Sequence, residues 1–255
     1  MIDAVALLTA DRERTALLTD FDGSLSEIVD HPDDAVPRPE VVGLLGALVA
    51  QFGLVAVVSG RPVEFLQTHL PVPGLDLIGQ YGLERLVAGR VVEVDGAQEY
   101  VEVMAHLAAR AERELPGVYV ERKGRVSVAL HWRMAASGQA AVQHWSAVEA
   151  GAAGLELYPG RMTVELRPPI PVDKGSVVES LVAGWSVAAF AGDDRGDLAA
   201  FAALAAAARD GVLDAVVRVG VRSAEEPPEL AANCDVLVDG PRGLVEWFSA
   251  LVAPV

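Results

Sequence analysis

Short apolar runs alternate with stretches of helical period at both ends of the chain. "TALLTD" reads as a buried strand ending at Asp20, and "GLVAVVSG" as a second ending at Ser59-Gly60-Arg61. Between them lies a loop with Pro32, Pro37 and Pro39, then a helix over "PEVVGLLGALVAQF" with Pro39 suited to its first turn. "PVEFLQTHL" predicts another helix and "LDLIGQYG" a third strand. The same rhythm resumes near the C-terminus. There "KGSVVESLVAGW" and "LAAFAALAAAA" read as helices around the strand "SVAAFAGDD", followed by strands "AVVRVGV" and "DVLVDG" and the helix "PRGLVEWFSALV". Apolar strands alternating with helices indicate a parallel sheet covered on both faces.

The middle of the chain follows another rule. "RVVEVDG" alternates like a hairpin strand, a helix is predicted over residues 97–115, and "RVSVALHWR" alternates as a half-exposed strand should. "AVQHWSAVEAGAAG" reads as a helix, and "LELYPGRMTVELRPP" as two strands around a Pro159-Gly160 turn. The expected fold class is therefore α/β. A Rossmann-like, doubly wound parallel core (residues 1–96 and 169–255) is interrupted by a smaller α+β cap at 97–168, of a size usual for a small domain.

Composition narrows the function classes. The 255 residues suffice for a sizeable core, and no apolar run approaches the ~20 residues of a membrane span. The opening "MIDAVALLTADRER" lacks the basic leader of a signal peptide, and the single cysteine, Cys234, has no internal disulfide partner. A net charge of -16 argues against nucleic acid, whose phosphates demand basic residues. The expectation is a soluble, cytoplasmic, monomeric protein with a small-molecule partner. Lysine occurs only at Lys123 and Lys174, arginine carrying the remaining positive charge. A compact ammonium is not interchangeable with a planar guanidinium, so both lysines become candidates for a specific role.

Ligands of open α/β sheets bind beyond the carboxyl ends of the strands. Asp20 and Asp22 follow the first strand, Ser59-Gly60-Arg61 the second, and Asp193 and Asp194 a later one, with Asp197 just beyond; Lys174 opens a helix. Oxygens of Asp20, Asp22 and Asp193 suit a hard cation such as Mg2+, with Asp194 and Asp197 behind them. Ser59, Gly60 and Arg61 with their backbone amides, together with Lys174, suit phosphate oxygens. A carboxylate beside a bound phosphoryl group can attack it, and a second one two residues on can move the proton.

In order, "DFDGS", "VSG", the lysine of "DKGS" and "GDDRGD" resemble the four motifs of the haloacid dehalogenase superfamily of phosphotransferases. The resemblance implies that Asp20 is the nucleophile and Asp22 the acid/base. It also implies Mg2+ held by Asp20, the carbonyl of Asp22 and Asp193. "VERKGRVSVALHWR" and "GRMTVELRP" are similar to cap segments of trehalose-6-phosphate phosphatases, V-E-x-K…S-x-A-L-H-Y-R and G-K-M-x-x-E-x-R-P. That similarity runs from about residue 16 to the last strand and implies that Glu121, Lys123 and Glu165 face the sugar. It makes the expected activity the hydrolysis of trehalose 6-phosphate.

His131 and Trp132 read more simply as packing residues, and Arg125, Arg133 and Arg167 as surface ion pairs. Several positions depart from the pattern. Gly196 replaces a threonine, Leu198 an acid and Arg161 a lysine, while "GQYGLE" differs from G-N-H-G-x-E at Gln80 and Tyr81. These departures leave open another glycosyl phosphate as substrate. A catalytically idle sugar-phosphate binder and a phosphomutase are further alternatives; the intact Asp20, Asp22, Lys174 and Asp193 argue against the idle binder.

Overall fold

The apolar runs become the strands of one large sheet. The computed structural model describes residues 3–29, 31–135, 138–160, 162–223 and 226–253. Helix α1 (Ala4–Thr9), whose N-terminal amides are accepted by Asp3, leads into strand β1 (Thr15–Thr19), every residue of which is buried. There follow α2 (Val41–Val49), β2 (Leu54–Val58), α3 (Val63–His69), β3 (Asp76–Gly79), β4 (Glu84–Val87) and β5 (Arg90–Glu93). The middle of the chain supplies α4 (Val101–Glu114), β6 (Tyr119–Lys123), β7 (Ser127–His131), α5 (Gln139–Ala153), β8 (Glu156–Gly160) and β9 (Thr163–Arg167). The last part supplies α6 (Lys174–Val182), β10 (Val187–Gly192), α7 (Asp197–Arg209), β11 (Ala215–Arg222), α8 (Leu230–Asn233), β12 (Val236–Asp239) and α9 (Gly240–Val252).

The chain divides into two compact units, Met1–Arg90 with Val172–Val255, and Val91–Pro171. The smaller unit extends beyond the 97–168 span at both ends. The large sheet has the order β12-β11-β10-β1-β2-β3-β4-β5. β1 lies between β10 and β2, and all pairings from β12 to β3 are parallel, whereas β3 and β4 are antiparallel. The doubly wound α/β reading is correct. Strand order reverses at β1, so the carboxyl ends of β1, β2 and β10 adjoin.

Helices α6 and α7 cover one face of the large sheet. Leu18, Ala56, Val58 and Phe190 from the sheet meet Val178, Leu181, Ala200, Phe201 and Leu204 from α6 and α7. Ala200, Phe201, Leu204 and Ala207 repeat at helical spacing and form the buried stripe of α7. The rings of Phe190 and Phe201 meet edge to face at 6.0 Å.

The smaller unit has a four-stranded antiparallel sheet, β6-β7-β9-β8. Its pairing register gives the two faces opposite chemistry. Val128, Leu130, Val164 and Leu166 pack under α4 and α5 against Met104, Leu107, Ala108, Ala111 and Val142. Tyr119, Glu121, Lys123, Ala129, His131, Thr163, Glu165 and Arg167 share the other face. Two expectations need correction. The predicted helix over 97–115 begins as a 3-10 turn, Ala97–Tyr100, before α4. Pro159 and Gly160 lie within β8, paired with Val164 and Thr163, rather than forming the turn. Arg161 lies outside the described residues.

Truncating Phe190 to alanine removes one partner of the ring pair and leaves a void that the sheet cannot close. Phe190→Ala should cost about 3–5 kcal/mol. Urea unfolding should show a lower midpoint with an unchanged slope; a loss under about 1 kcal/mol would contradict this packing.

Candidate active site

Burial of Lys174 organises the polar cluster at the strand ends. Lys174 opens α6 behind a capping box in which Asp173 accepts from Ser176 N at 2.8 Å, and Ser176 Oγ accepts from Asp173 N at 3.0 Å. Its ammonium, 2% exposed, lies 2.6 Å from Asp197 Oδ1, 3.0 Å from Asp20 Oδ1 and 3.9 Å from Asp194 Oδ1. Asp20 follows β1 directly, and its N–H donates to Ala191 O of β10 at 2.8 Å. Asp197 Oδ2 accepts from the backbone N–H of Asp193 at 2.8 Å and of Asp194 at 3.0 Å. Asp194 Oδ1 in turn accepts from Asp197 N at 3.1 Å.

These contacts shift the protonation equilibria. Burial opposes the Lys174 charge, but Asp197, Asp20 and Asp194 outweigh it and hold its pKa well above the ordinary lysine value. Burial lifts Asp20 to about 7, the charges of Asp194, Asp193 and Asp22 adding to it and Lys174 opposing. Burial also lifts Asp193 to about 8, reinforced by Asp197 and Asp194. The cluster is short of positive charge.

That shortage tests whether a divalent cation fits. Carboxylate oxygens of Asp20, Asp193 and Asp197 lie within 4.8 Å of one another. Both oxygens of Asp197 are already engaged, one by Lys174 and one by backbone amides. Asp193 Oδ1 is buried with no hydrogen-bond partner among the described residues. An orphaned buried carboxylate oxygen beside a second buried acid fits a hard cation, so Asp20 and Asp193 are the candidate ligands and Asp197 orients Asp193. Gly23 allows this approach: at φ +74°, a Cβ there would sit 2.1 Å from Asp193 Oδ2.

The remaining predicted residues of the large unit gather nearby. Asp22 is more exposed than Asp20, and its carboxylate is gripped by Arg61, Nε to Oδ2 at 2.8 Å and Nη2 to Oδ1 at 2.7 Å. Arg61 Nη1 donates to Pro32 O at 2.7 Å, and the guanidinium lies 4.6 Å over the Phe65 ring. The side chain expected at the phosphate is therefore turned to Asp22. Ser59 is fully buried, and its Oγ accepts from Arg61 N at 3.2 Å. Sequence reasoning missed Glu84. This buried carboxylate accepts from Val63 N at 2.9 Å and from the Gln80 side chain, bracing the residues after β2 and β3. Its only sequence signal was the acid of "GQYGLE".

In the smaller unit, the polar sheet face carries the other three predicted residues. Lys123 Nζ donates to Glu165 Oε2 at 3.0 Å. Arg167 donates to both oxygens of Glu165, at 2.7 and 3.0 Å, and stacks 4.1 Å from the Tyr158 ring centroid. Burial disfavours the Glu165 charge, but Lys123 and Arg167 outweigh it and lower its pKa. Glu121 Oε2 lies 2.8 Å from His131 Nε2. Two expectations fail here. Arg167 is buried, not a surface ion pair, and His131 is paired with Glu121 rather than being only a packing residue. Arg125 is exposed and does form an ion pair, reaching the largely covered side chain of Glu93 at 3.5 Å.

Comparison with known proteins agrees with this geometry. A family model described as trehalose-phosphatase matches residues 18–229. The chain is 37% identical over 205 residues to a trehalose-phosphate phosphatase of Mycobacterium marinum, covering 75% of this chain and 52% of that protein. The chain thus spans about half the length of the curated relatives it matches. The crystal structure of a trehalose-6-phosphate phosphatase related protein superposes with a TM-score of 0.78 at 24% identity, covering 93% of this chain and 97% of that one. The C-terminal domain of a Candida albicans trehalose-6-phosphate phosphatase gives 0.77 at 20% identity, covering 98% and 97%. Those two likenesses establish the shared fold; the sequence match extends across both units, and the chain belongs to the trehalose-phosphatase family.

Proposed function

We propose that this chain is a Mg2+-dependent phosphatase that hydrolyses trehalose 6-phosphate to trehalose and orthophosphate. The observation that carries the reading is the buried Lys174 ammonium set between Asp20 and Asp197, with Asp22 two residues beyond Asp20. Asp20 Oδ attacks phosphorus while the bond from phosphorus to the sugar oxygen breaks, and Asp22 gives that oxygen its proton. The aspartyl-phosphate on Asp20 is then opened by water. Asp22 takes the water's proton, the new P–O bond forms, and the Asp20 carboxylate leaves with its electron pair. Lys174 steadies Asp20 and balances charge on the phosphoryl oxygens, and Ser59 with the turn after it supplies further donors. Arg61 fixes the direction of Asp22 through its two-pronged contact, one arm of which must open for an Asp22 oxygen to carry the proton. Mg2+, held by Asp20, Asp193 and the Asp22 carbonyl, would supply charge neutralisation for the transferring group. In the smaller unit, Glu121, Lys123 and Glu165 lie on one sheet face, one donor and two acceptors, which suits the vicinal hydroxyls of a disaccharide.

Phosphate release across a panel of sugar phosphates, with Mg2+ and with EDTA, tests the reading. Trehalose 6-phosphate should give the highest kcat/KM, and EDTA should abolish turnover. A glycosyl phosphate turned over a hundredfold better would replace the substrate. Asp20→Asn should fold normally yet lose roughly 10^4-fold or more in kcat. Retained activity in that variant would remove the covalent mechanism. Lys123→Ala should raise KM for the disaccharide phosphate about tenfold and leave p-nitrophenyl phosphate hydrolysis near wild type. Equal losses on both substrates would exclude Lys123 as a sugar contact.

The raised pKa of Asp193 gives a test independent of turnover. Its folded value of about 8 exceeds the unfolded value, so the native state holds the proton more tightly. Without metal, wild type therefore loses stability as pH rises from the unfolded pKa to about 8, and no further above it. Asp193→Asn escapes this loss. In EDTA, the Tm advantage of the variant should grow from pH 4 to pH 8, reaching roughly 3 °C or more, then level off. Mg2+ should raise the Tm of wild type and not of the variant. A pH-independent difference would mean that Asp193 is ionised throughout.

A further inference from the structure

The segment after β3 carries a backbone anomaly that the mechanism above does not use. Gln80 and Tyr81 are both left-handed, at φ 49° and 58°, and Gly82 follows at φ 113°. Successive non-glycine residues in this region cost about 1–2 kcal/mol each and persist only where their surroundings hold them. Here the surroundings do. Gln80 N donates to Arg61 O at 2.9 Å, and Tyr81 N donates to Ser59 O at 2.9 Å. The Gln80 side chain is tied to buried Glu84, which also accepts the first amide of α3. The strained pair is thus fastened to the turn after β2 by two direct hydrogen bonds, and through Glu84 to the first amide of α3.

Its effect is to aim one side chain. The phenol end of Tyr81 lies against Gly60: a Cβ there would meet Tyr81 Cζ at 2.5 Å, Oη at 2.6 Å and Cε2 at 2.7 Å. Lys174 Nζ lies 6.0 Å from the Tyr81 ring centroid. The ring therefore spans from the Ser59-Gly60-Arg61 turn towards the buried ammonium, the two sources of donors assigned to the phosphoryl group. Tyr81 remains half-buried, so the ring is not sealed in the core. Packing of the ring accounts for the missing side chain at position 60, but it does not by itself call for two successive left-handed residues. Aiming the phenol at the turn does, because a phenol is a donor at neutral pH and can meet an oxygen that the turn and Lys174 leave uncovered.

We infer that Tyr81 is a phosphate-contacting residue whose hydroxyl donates a hydrogen bond to a phosphoryl oxygen of substrate and of product orthophosphate. The inference rests on the phosphatase reading and adds a recognition group to that site. Tyr81→Phe keeps the ring, its contact with Gly60 and the local fold while removing the donor. Calorimetric titration with inorganic phosphate in the presence of Mg2+ is the direct measurement. Competitive inhibition of p-nitrophenyl phosphate hydrolysis by inorganic phosphate is the second. The variant should bind orthophosphate roughly tenfold or more weakly by both, as expected for a lost hydrogen bond to a charged group, with a Tm near that of wild type. Undiminished phosphate affinity in Tyr81→Phe would overturn the inference and leave the phosphatase reading intact. If wild type itself neither binds orthophosphate nor releases it from the ester, the phosphatase reading falls, and this inference with it.

Discussion

A buried ammonium holds the acidic cluster together. Two unit charges 4 Å apart interact by about 4 kcal/mol at an effective dielectric of 20, so neighbouring carboxylates at the strand ends would drive one another apart. Lys174 lies between Asp20 and Asp197 and within reach of Asp194, converting repulsion into a shared attraction. Its position is not a favourable one for a cation. It is the first residue of α6, where the helix dipole presents its positive end and burial removes water. The carboxylates must outweigh both costs, which makes the lysine and the acids as a group mutually dependent.

Much of this was legible because parallel strands buried on both faces appear as continuous apolar runs, and the polar residues ending such runs are conspicuous. The scarcity of lysine helped for a physical reason. With arginine meeting the needs of the surface, each remaining ammonium proved to lie beside a buried carboxylate, Lys174 at Asp197 and Lys123 at Glu165. What stayed hidden depends on partners remote in the chain. Arg61 follows "SG" and reads as a phosphate ligand, and only the fold shows its guanidinium meeting Asp22 as well. Arg167 is two residues from Glu165, but only the pairing of β7, β8 and β9 turns that spacing into a buried pair beside Tyr158. The positive φ at Tyr81 leaves no trace in composition, since tyrosine is not a residue that signals such a conformation.

The departures from the family pattern look different with the geometry in view. Gly196 removes a hydroxyl next to Asp193, yet support for that aspartate comes from Asp197 Oδ2 on its backbone and from the Asp194 to Asp197 return contact. Support therefore runs through backbone amides and a carboxylate, which do not need the side chain at position 196. Gln80 likewise acts through Glu84, bracing the turn after β2 from behind. Substitutions at these positions change which groups supply rigidity more than whether the acids are held.

The remaining imbalance of charge connects structure to chemistry. Even with Lys174 fully protonated, the carboxylates around it outnumber it; burial and mutual repulsion raise the proton affinity of Asp197 and lift Asp20 and Asp193 to about 7 and about 8. A divalent cation at the same two carboxylates would do the same electrostatic work, so cation and protons compete for one deficit. On the proposed reading this competition has a direction. Protonated Asp20 is no nucleophile, whereas a cation leaves its carboxylate ionised and adds charge that a phosphate dianion can share. On that reading, the burial that makes charged acids costly is what favours a cation, and then a phosphoryl group, beside them.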